Sequence, residues 1–296
     1  MRKLIMFVAA LIMAVSFSSC TSKEESSTTT NNSGGLGGNT GGGGNTGGNT
    51  QSQSTRIIKR IVETEGSNYY IHTFEYDAMN RITNWTSQYG QTTITHTYSY
   101  SGNKVSYYTT ERYGNNVKGK EGFITLNSAG YAICIESDDL YTDISYKNGY
   151  IQYSNERWIF ESGYMNTEFT WENGNLASTY STLNEVPEDM YDIIIRASYK
   201  YNLYKDAAPI NINLAAFIDF SEFYDWNASL FFYGKQSKNL LTRIDEETIS
   251  LGSGTGHSDT CTFDYKFNSD GTIASFTAES EEYGYRKVTT YDITYY

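Results

Sequence analysis

The sequence predicts an all-β protein, an antiparallel up-and-down meander that is strongly curved or closes into a barrel. Tyrosine is abundant, with 28 copies, while proline occurs only twice. Tyrosine favours the half-buried surface of a pleated sheet, and scarce proline leaves strands uninterrupted. A turn pattern built on Asn and Gly also recurs through residues 56–296, with apolar and polar residues alternating between the turns.

The first twenty residues have the layout of a secretory signal peptide. Arg2 and Lys3 precede the apolar run 4–15, which is too short to cross a hydrocarbon core of about 30 Å as a helix. Residues 17–20, Phe-Ser-Ser-Cys, resemble the lipobox of bacterial lipoproteins. The resemblance implies that Cys20 becomes the first mature residue and carries fatty acids such as palmitate. Several acyl chains anchor a protein stably at a membrane where one is marginal.

A charged stretch and a flexible segment follow Cys20. Lys23, Glu24 and Glu25 resemble the export tag of surface-exposed lipoproteins, so we expect a lipid-anchored protein on the cell surface of the outer membrane. The alternative is its periplasmic leaflet. Residues 21–55 are almost entirely Ser, Thr, Asn and Gly, a composition that cannot bury enough surface to order itself. They predict a disordered tether with a root-mean-square reach of about 33 Å.

The remaining residues, 56–296, are long enough for one β domain. The whole chain has a net charge of −12, and loss of residues 1–20, which hold two bases and no acid, takes it to −14. A negative balance argues against nucleic-acid binding and against electrostatic docking on anionic lipid, since both need basic patches. We therefore expect a membrane partner only through the anchor at Cys20, and we favour a monomer.

The recurring turn has an aromatic residue or Leu, then small polar residues with Asn or Gly, then an aliphatic or aromatic residue. Asn-Gly pairs supply the positive φ angles that tight hairpin turns require. The first five turns lie 19 to 27 residues apart, the length of two strands with their connections. Each repeat is therefore predicted to be one hairpin. The turns occupy 76–82, 100–105, 126–131, 146–151, 171–176 and 267–273.

Two further segments predict local structure. In residues 260–267, Cys261, Phe263 and Tyr265 share one face of a strand while polar residues share the other. Around Leu214 and Phe217, the apolar spacing after Asn213 predicts a short helical insertion near 213–225.

Residues 170–176, Thr-Trp-Glu-Asn-Gly-Asn-Leu, and 234–240, Gly-Lys-Gln-Ser-Lys-Asn-Leu, resemble a family of secreted proteins and lipoproteins of unknown function described as having a porin-like fold. The Tyr-Asp turn at 76–82 and the turns that begin at Asn127 and Asn268 extend the resemblance over roughly 56–296. It implies a curved antiparallel meander and no activity. A lipid-spanning pore is not expected, because outward positions include Asp264 and Lys266 where lipid-facing residues would be apolar.

No residues are spaced as a metal or cofactor site. His72, His96 and His257 lie apart from one another and from cysteines, so we interpret them as structural residues. Residues 251–257 are glycine-rich but match no phosphate-binding or nucleophile motif, and they predict a hairpin tip. Cys134 and Cys261 lie in strand-like runs of an exported protein. They either pair or, as we favour, remain buried thiols.

Catalysis has weaker support than binding. A hydrolase that degrades glycans needs only two carboxyls at suitable separation, but the acids are too numerous to single out a pair. The candidates are Glu136, Asp138, Asp139, Glu161, Glu168, Glu172, Asp219, Glu222 and Asp225. We expect a non-enzymatic surface binding module, with a glycan ligand ahead of a protein ligand. A carrier of apolar ligands is a further alternative.

The four tryptophans are the residues a sugar would stack on, although aromatic residues at strand spacing more often belong to the core. They are Trp85, Trp158, Trp171 and Trp226. We therefore assign no binding residue from the sequence.

Overall fold

The computed structural model describes residues 56–158, 163–184, 193–206, 227–252, 254, 256–282 and 285–296. The predicted signal peptide, Cys20, the tether 21–55 and the helix near 213–225 lie outside the described residues. Within the described part, no helix is long and apolar enough to cross a membrane.

The described residues form sixteen antiparallel strands that close into one barrel. The first eight are β1 (Ile58–Glu65), β2 (Asn68–Tyr76), β3 (Ile82–Tyr89), β4 (Thr92–Ser101), β5 (Lys104–Tyr113), β6 (Asn116–Leu126), β7 (Ala132–Ser137) and β8 (Leu140–Lys147). The others are β9 (Tyr150–Trp158), β10 (Tyr164–Glu172), β11 (Asn175–Asn184), β12 (Ile193–Asp206), β13 (Asn239–Ser250), β14 (Gly256–Phe267), β15 (Ile273–Glu282) and β16 (Tyr285–Tyr295).

Each strand pairs with the next along the chain, and β16 pairs with β1 to close the ring. Closure removes both sheet edges and satisfies the backbone hydrogen bonds of strands that would otherwise be exposed to other chains. The predicted all-β, up-and-down meander is confirmed, and the choice between a curved sheet and a barrel is decided in favour of the barrel.

The recurring sequence turn builds one end of this barrel. Asn148 and Gly149 have φ angles of 57° and 85°, and Asn173 and Gly174 have 52° and 82°. Positive φ at both central residues is the geometry that Asn-Gly supplies in two-residue hairpins. Because each repeat spans two strands, all six predicted turns lie at the same end. The chain also enters β1 and leaves β16 at this end.

The core lines the inside of the barrel. In β14, Phe263 is buried and Tyr265 packs against the core, while Asp264 and Lys266 are exposed, as the alternation predicts. Phe276 and Tyr291 stack with ring centroids 4.4 Å apart on the two following strands. Aromatic pairs of this kind stabilise a sheet beyond the area they bury.

A segment between β12 and β13 fills the end of the barrel that carries the repeated turns. We name residues 227–238 the plug segment and this end the plugged end. It begins with a 3₁₀ helix, Asn227–Phe232, whose Phe231 contacts Phe74 and Trp85 edge-on at 5.8 and 6.0 Å between ring centroids. The plug is fastened to two of the turns, since Lys235 N donates to Gly149 O and Lys238 N donates to Gly174 O.

The two domain cysteines do not pair with one another. Cys134 lies on β7 and Cys261 on β14, and six strands separate them on the shorter way around the ring. Cys261 takes part in no disulfide. Disulfide geometry requires Cα atoms within about 7 Å, which this separation rules out.

Candidate functional site

Polar side chains face the lumen of the barrel beyond the plug. Close to the plug, inward residues are apolar; further along they become hydroxyls, imidazoles and carboxyls, most of them buried. We call this group the lumenal polar band. It comprises Glu63, His72, Ser87, His96, Thr109, Thr142, Ser154, Glu156, Thr167 and Ser181.

Many polar groups of this band find hydrogen-bond partners on side chains of the neighbouring strand. His72 Nδ1 lies 2.8 Å from Ser87 Oγ, and His96 Nδ1 lies 2.8 Å from Thr109 Oγ1. Thr167 and Ser181 pair at 2.9 Å. Burial lowers the pKa of His96 to about 3, so this imidazole is neutral in the folded protein at ordinary pH. Both histidines are buried in these contacts.

Ser87, His72 and Glu63 carry the residue types of a hydrolytic triad. His72 Nε2 lies 3.6 Å from Glu63 Oε2, which is longer than a hydrogen bond. Ser87 lies within β3, which is hydrogen-bonded to β2 on one side and to β4 on the other. Backbone N–H groups in such ladders are committed to neighbouring strands and do not form an oxyanion hole. The contact is best explained as packing of polar groups inside the barrel.

Glu156 stands out within the lumenal polar band. Its Oε2 atom is buried and has no hydrogen-bond partner among the described residues. Burial raises the pKa of its carboxyl to about 8, which keeps it protonated near neutral pH. Burial, followed by the proximity of Glu156, raises the pKa of Tyr233 in the plug segment. The plug therefore lies beside Glu156.

The acids singled out from the sequence do not include this residue. Asp138 and Asp139 lie between β7 and β8, where Asp139 pairs with Lys120 Nζ at 2.5 Å. Glu136 and Glu168 project outward, opposite Phe123 and Tyr180 of neighbouring strands. Four of the candidates, Glu161, Asp219, Glu222 and Asp225, lie outside the described residues. The alternation of Ser154, Glu156 and Trp158 along one strand was the available sequence signal for Glu156.

The third histidine and the glycine-rich segment lie together at the β13–β14 connection. His257 is the second residue of β14, and its Nε2 lies 2.5 Å from Asp259 Oδ1. The segment joins two paired antiparallel strands, as a hairpin tip does. Among the described residues, no group of three or more His, Cys, Asp or Glu side chains could hold a metal ion.

The outer wall of the barrel carries charged pairs between neighbouring strands. Lys200 Nζ lies 2.8 Å from Asp245 Oδ2, and Arg196 Nη1 lies 3.3 Å from Glu247 Oε2. The side chains of Lys200, Arg196 and Glu247 are exposed, and that of Asp245 is 30% exposed. A lipid-facing wall would be apolar at such positions. The outward face is therefore suited to water.

Two tyrosines flank a carboxylate on this wall. Glu168 of β10 lies directly opposite Tyr153 of β9 and Tyr180 of β11, so the three side chains form a row across three strands. The tyrosines are 36% and 38% exposed, and their strands are about 10 Å apart. Arg196 lies over the Tyr180 ring, 5.8 Å from its centroid. We name Tyr153, Glu168 and Tyr180 the tyrosine platform.

Amide groups border this platform. Asn166 Oδ1 accepts hydrogen bonds from Tyr153 Oη and from Asn155 Nδ2, the latter at 2.6 Å. Arg157 Nε donates to Asn155 Oδ1 at 2.7 Å. Flat apolar rings beside fixed amide, guanidinium and carboxylate groups are the combination that binds polar molecules with an apolar face. These tyrosines could not be singled out from the sequence, because strand periodicity does not distinguish an exposed tyrosine from a buried one.

The tryptophans occupy other places. Trp85 is 1% exposed and packs between His72 and His96 in the core. Trp171 is half-buried, donates from Nε1 to Ile151 O at 2.7 Å and packs on Tyr150. Trp158 is half-buried at the end of β9, and Trp226 lies outside the described residues. Trp85 is a core residue, which agrees with the structural interpretation.

Comparison with known proteins supports the fold of the chain. No protein-family model matches the chain, and no curated protein matches it. Among solved structures, the chain is similar to a porin-like protein from Bacteroides vulgatus at 14% identity and a TM-score of 0.51. The match covers 81% of this chain and 99% of that one. At this identity the likeness shows the fold, and it agrees with the porin-like fold implied by the sequence resemblance.

Proposed function

We propose that this protein is a non-enzymatic, lipid-anchored binding module of the outer membrane whose barrel stands in water and binds glycans. The barrel fold is consistent with an outer-membrane location. The polar outer wall, with its exposed pair between Lys200 and Asp245, favours attachment through Cys20 over spanning by the strands. The export tag at residues 23–25 supports exposure on the cell surface.

The tyrosine platform is the observation that carries the glycan assignment. Sugar rings have an apolar face of C–H groups that stacks on tyrosine and a rim of hydroxyls that bonds to carboxylates and amides. Tyr153 and Tyr180 offer two stacking positions about 10 Å apart along one row of the sheet. Glu168 lies between them as an acceptor for hydroxyls. This arrangement suits a linear polysaccharide that lies across the strands.

Affinity electrophoresis in gels that contain polysaccharides tests the assignment. The chain from residue 21 onward, which lacks the lipidated cysteine, is run through a broad panel of neutral glycans. We expect retention by at least one of them and a loss of at least tenfold in affinity for the double variant Tyr153→Ala with Tyr180→Ala. Tyr69→Ala is the control, because Tyr69 is 59% exposed on another part of the outer wall.

Two results contradict the proposal in different ways. Absence of retention across the panel contradicts the glycan ligand. Retention that survives the double variant but not the Tyr69 variant places binding elsewhere than the tyrosine platform.

A glycan-degrading hydrolase is the second candidate, and Glu156 is the observation that favours it. A carboxyl with a pKa near 8 keeps the proton that a general acid needs at neutral pH. A glycan hydrolase requires two paired carboxyls. The pKa of Glu156 is raised by burial, so its value does not point to a second carboxyl beside it. Chromatography of the retained glycan after long incubation distinguishes the candidates: shortened products that disappear in Glu156→Gln would establish hydrolysis.

A further inference from the structure

Charge is distributed unevenly along the barrel axis. We compare the two ends through their turns and the three strand residues that adjoin each turn. At the plugged end the described residues include five acids: Glu75, Asp77, Glu172, Asp206 and Asp270. They include ten bases: Arg56, Lys59, Arg60, Arg81, Lys104, Lys147, Lys205, Lys235, Lys238 and Lys266. The plugged end is therefore basic, although the whole chain is acidic.

The opposite end, which we name the acidic end, has the reverse balance. Its described residues include five bases: Arg112, Lys118, Arg157, Arg286 and Lys287. They include nine acids, of which Glu156 is protonated near neutral pH and leaves eight charged: Glu63, Glu65, Glu111, Glu136, Asp138, Asp139, Glu156, Glu281 and Glu282.

The difference in charge between the two ends keeps its sign when the residues outside the described ranges are counted. Residues 207–226, between β12 and β13, hold three acids and no base, fewer than the five-charge excess of bases at the plugged end. Residues 159–162 follow β9 and residues 185–192 follow β11 in the sequence, and together they hold five acids and no base.

The bases of the plugged end are largely uncompensated. Asp77 and Asp270 are already paired with Arg81 and Arg56, at 2.6 and 2.7 Å. Seven lysines at this end are exposed and form no ion pair with another described residue. They are Lys59, Lys104, Lys147, Lys205, Lys235, Lys238 and Lys266.

Aromatic rings hold several of these ammonium groups at the plugged end. Lys205 Nζ lies 3.0 Å from the ring centroid of Phe267, and Lys235 Nζ lies 5.3 Å from that of Tyr150. Lys59 Nζ lies 5.2 Å from the ring centroid of Tyr296. Cation–π contacts restrict the side chains without neutralising them.

We infer that the plugged end docks on the surface of an anionic lipid bilayer and so holds the barrel upright with its acidic end outward. Strands of six to fourteen residues, all but two of them eight to twelve long, give at ordinary barrel tilt a length on the order of 25 Å. That exceeds twice the Debye length of about 8 Å at physiological ionic strength. The lipid surface therefore attracts the basic end, which lies near it. Salt screens the repulsion between the lipid surface and the acidic end, which lies further away.

The course of the chain agrees with this orientation. Residue 56 enters β1 at the plugged end, so the segment that joins the barrel to Cys20 departs from the face that docks. The inference rests on the proposed anchoring only for the presence of a nearby membrane. Docking by charge is tested without the anchor, so the two can fail separately.

Vesicle co-sedimentation is the test, with the chain from residue 21 onward. The vesicles are phosphatidylcholine alone or phosphatidylcholine mixed with phosphatidylglycerol, each at low and high salt. We expect binding that rises with the anionic lipid, falls with salt, and drops at least tenfold in the triple variant Lys147→Glu, Lys235→Glu, Lys238→Glu. These three lysines lie close together, since Lys235 contacts Gly149 and Lys238 contacts Gly174.

A second triple variant separates local charge from net charge. Arg112→Glu, Lys118→Glu and Arg286→Glu make the same change of charge at the acidic end, and we expect them to leave binding unchanged. Circular dichroism melting confirms that both variants fold. Equal losses in the two variants, equal binding to uncharged vesicles, or no binding by the parent chain at low salt would each overturn the inference.

Discussion

Glu156 couples the interior of the barrel to pH at the scale of a single residue. The folded protein raises the pKa of this carboxyl from its ordinary value of 4.5 to about 8, because burial disfavours the charged form. Its neighbour in the plug segment, Tyr233, is itself hydrogen-bonded to Ser229 at 2.8 Å. Ionisation of Glu156 therefore places a charge next to the segment that fills the plugged end.

We expect Glu156→Gln to remove a pH dependence of stability. Since the folded pKa lies above the unfolded one, the free energy of unfolding of the parent protein falls as pH rises from about 4.5 to about 8, and stays low above that. The variant has no proton to lose, so it should be the more stable protein in alkali. Urea unfolding midpoints on both sides of this window measure the effect.

Glu168→Gln is the matched control, because Glu168 is exposed on the outer wall. It should keep the parent's pH dependence. The same alkaline loss of stability in Glu156→Gln as in the parent would show that other groups cause it.

The plug segment is an element whose placement depends on a close contact with backbone. A Cβ atom added at Gly234 would lie 2.4 Å from Gly149 O and 2.8 Å from the Tyr146 ring. Backbone cannot yield to such a contact as a flexible side chain does. Glycine at 234 therefore allows the plug to approach the β8–β9 turn closely enough for Lys235 N to donate to Gly149 O at 2.7 Å.

We expect Gly234→Ala to detach the plug locally while the barrel stays closed. The hydrogen bonds from Lys235 N and Lys238 N to the turns should weaken, so both amides should exchange with deuterium at least tenfold faster, as locally opened segments do. Hydrogen exchange followed by mass spectrometry measures this. Gly163→Ala is the control, because its added Cβ would meet neighbours only at 3.5 Å and beyond. Unchanged exchange at both lysines would contradict the packing argument.

Closure between β1 and β16 is the feature that makes the whole molecule one unit. The two strands lie more than 200 residues apart in sequence, yet seven residue pairs from Ile58 to Glu65 align them. Such distant pairing forms only when the ring has the right number of strands and stagger. Closure brings the turns of each end together into one ring.

Cys20→Ser tests the location of the whole molecule. Only a thiolate accepts the diacylglyceryl group at that position, so the variant should fold normally but leave the membrane fraction. Metabolic labelling with a clickable fatty acid and fractionation in high salt, which removes docking by charge, measure the outcome. The parent protein should be labelled and retained. Label and membrane retention in the serine variant would contradict the lipoprotein assignment.

Much of the fold was predictable from the sequence, because it depends on residues that are neighbours along the chain. Asn148-Gly149 and Asn173-Gly174 demand positive φ, and the alternation of Phe263, Asp264, Tyr265 and Lys266 assigns strand faces, so hairpins and their order were predictable. Alternation failed where registers shift. In β7, Ala132 and Ile135 are both buried although strict alternation places residues three apart on opposite faces, because the pairing of β6 with β7 shifts register at Leu126.

The sequence by itself determined an all-β meander, its hairpin turns and a signal resembling that of a lipoprotein, because these depend on neighbours along the chain. Only the tertiary structure decided that the sheet closes, that the Oε2 atom of Glu156 is buried near Tyr233, and that Tyr153 and Tyr180 flank Glu168. It also decided where charge collects. A net charge of −12 argued against docking on anionic lipid, but net charge carries no position, and closure gathers lysines from distant turns at one end.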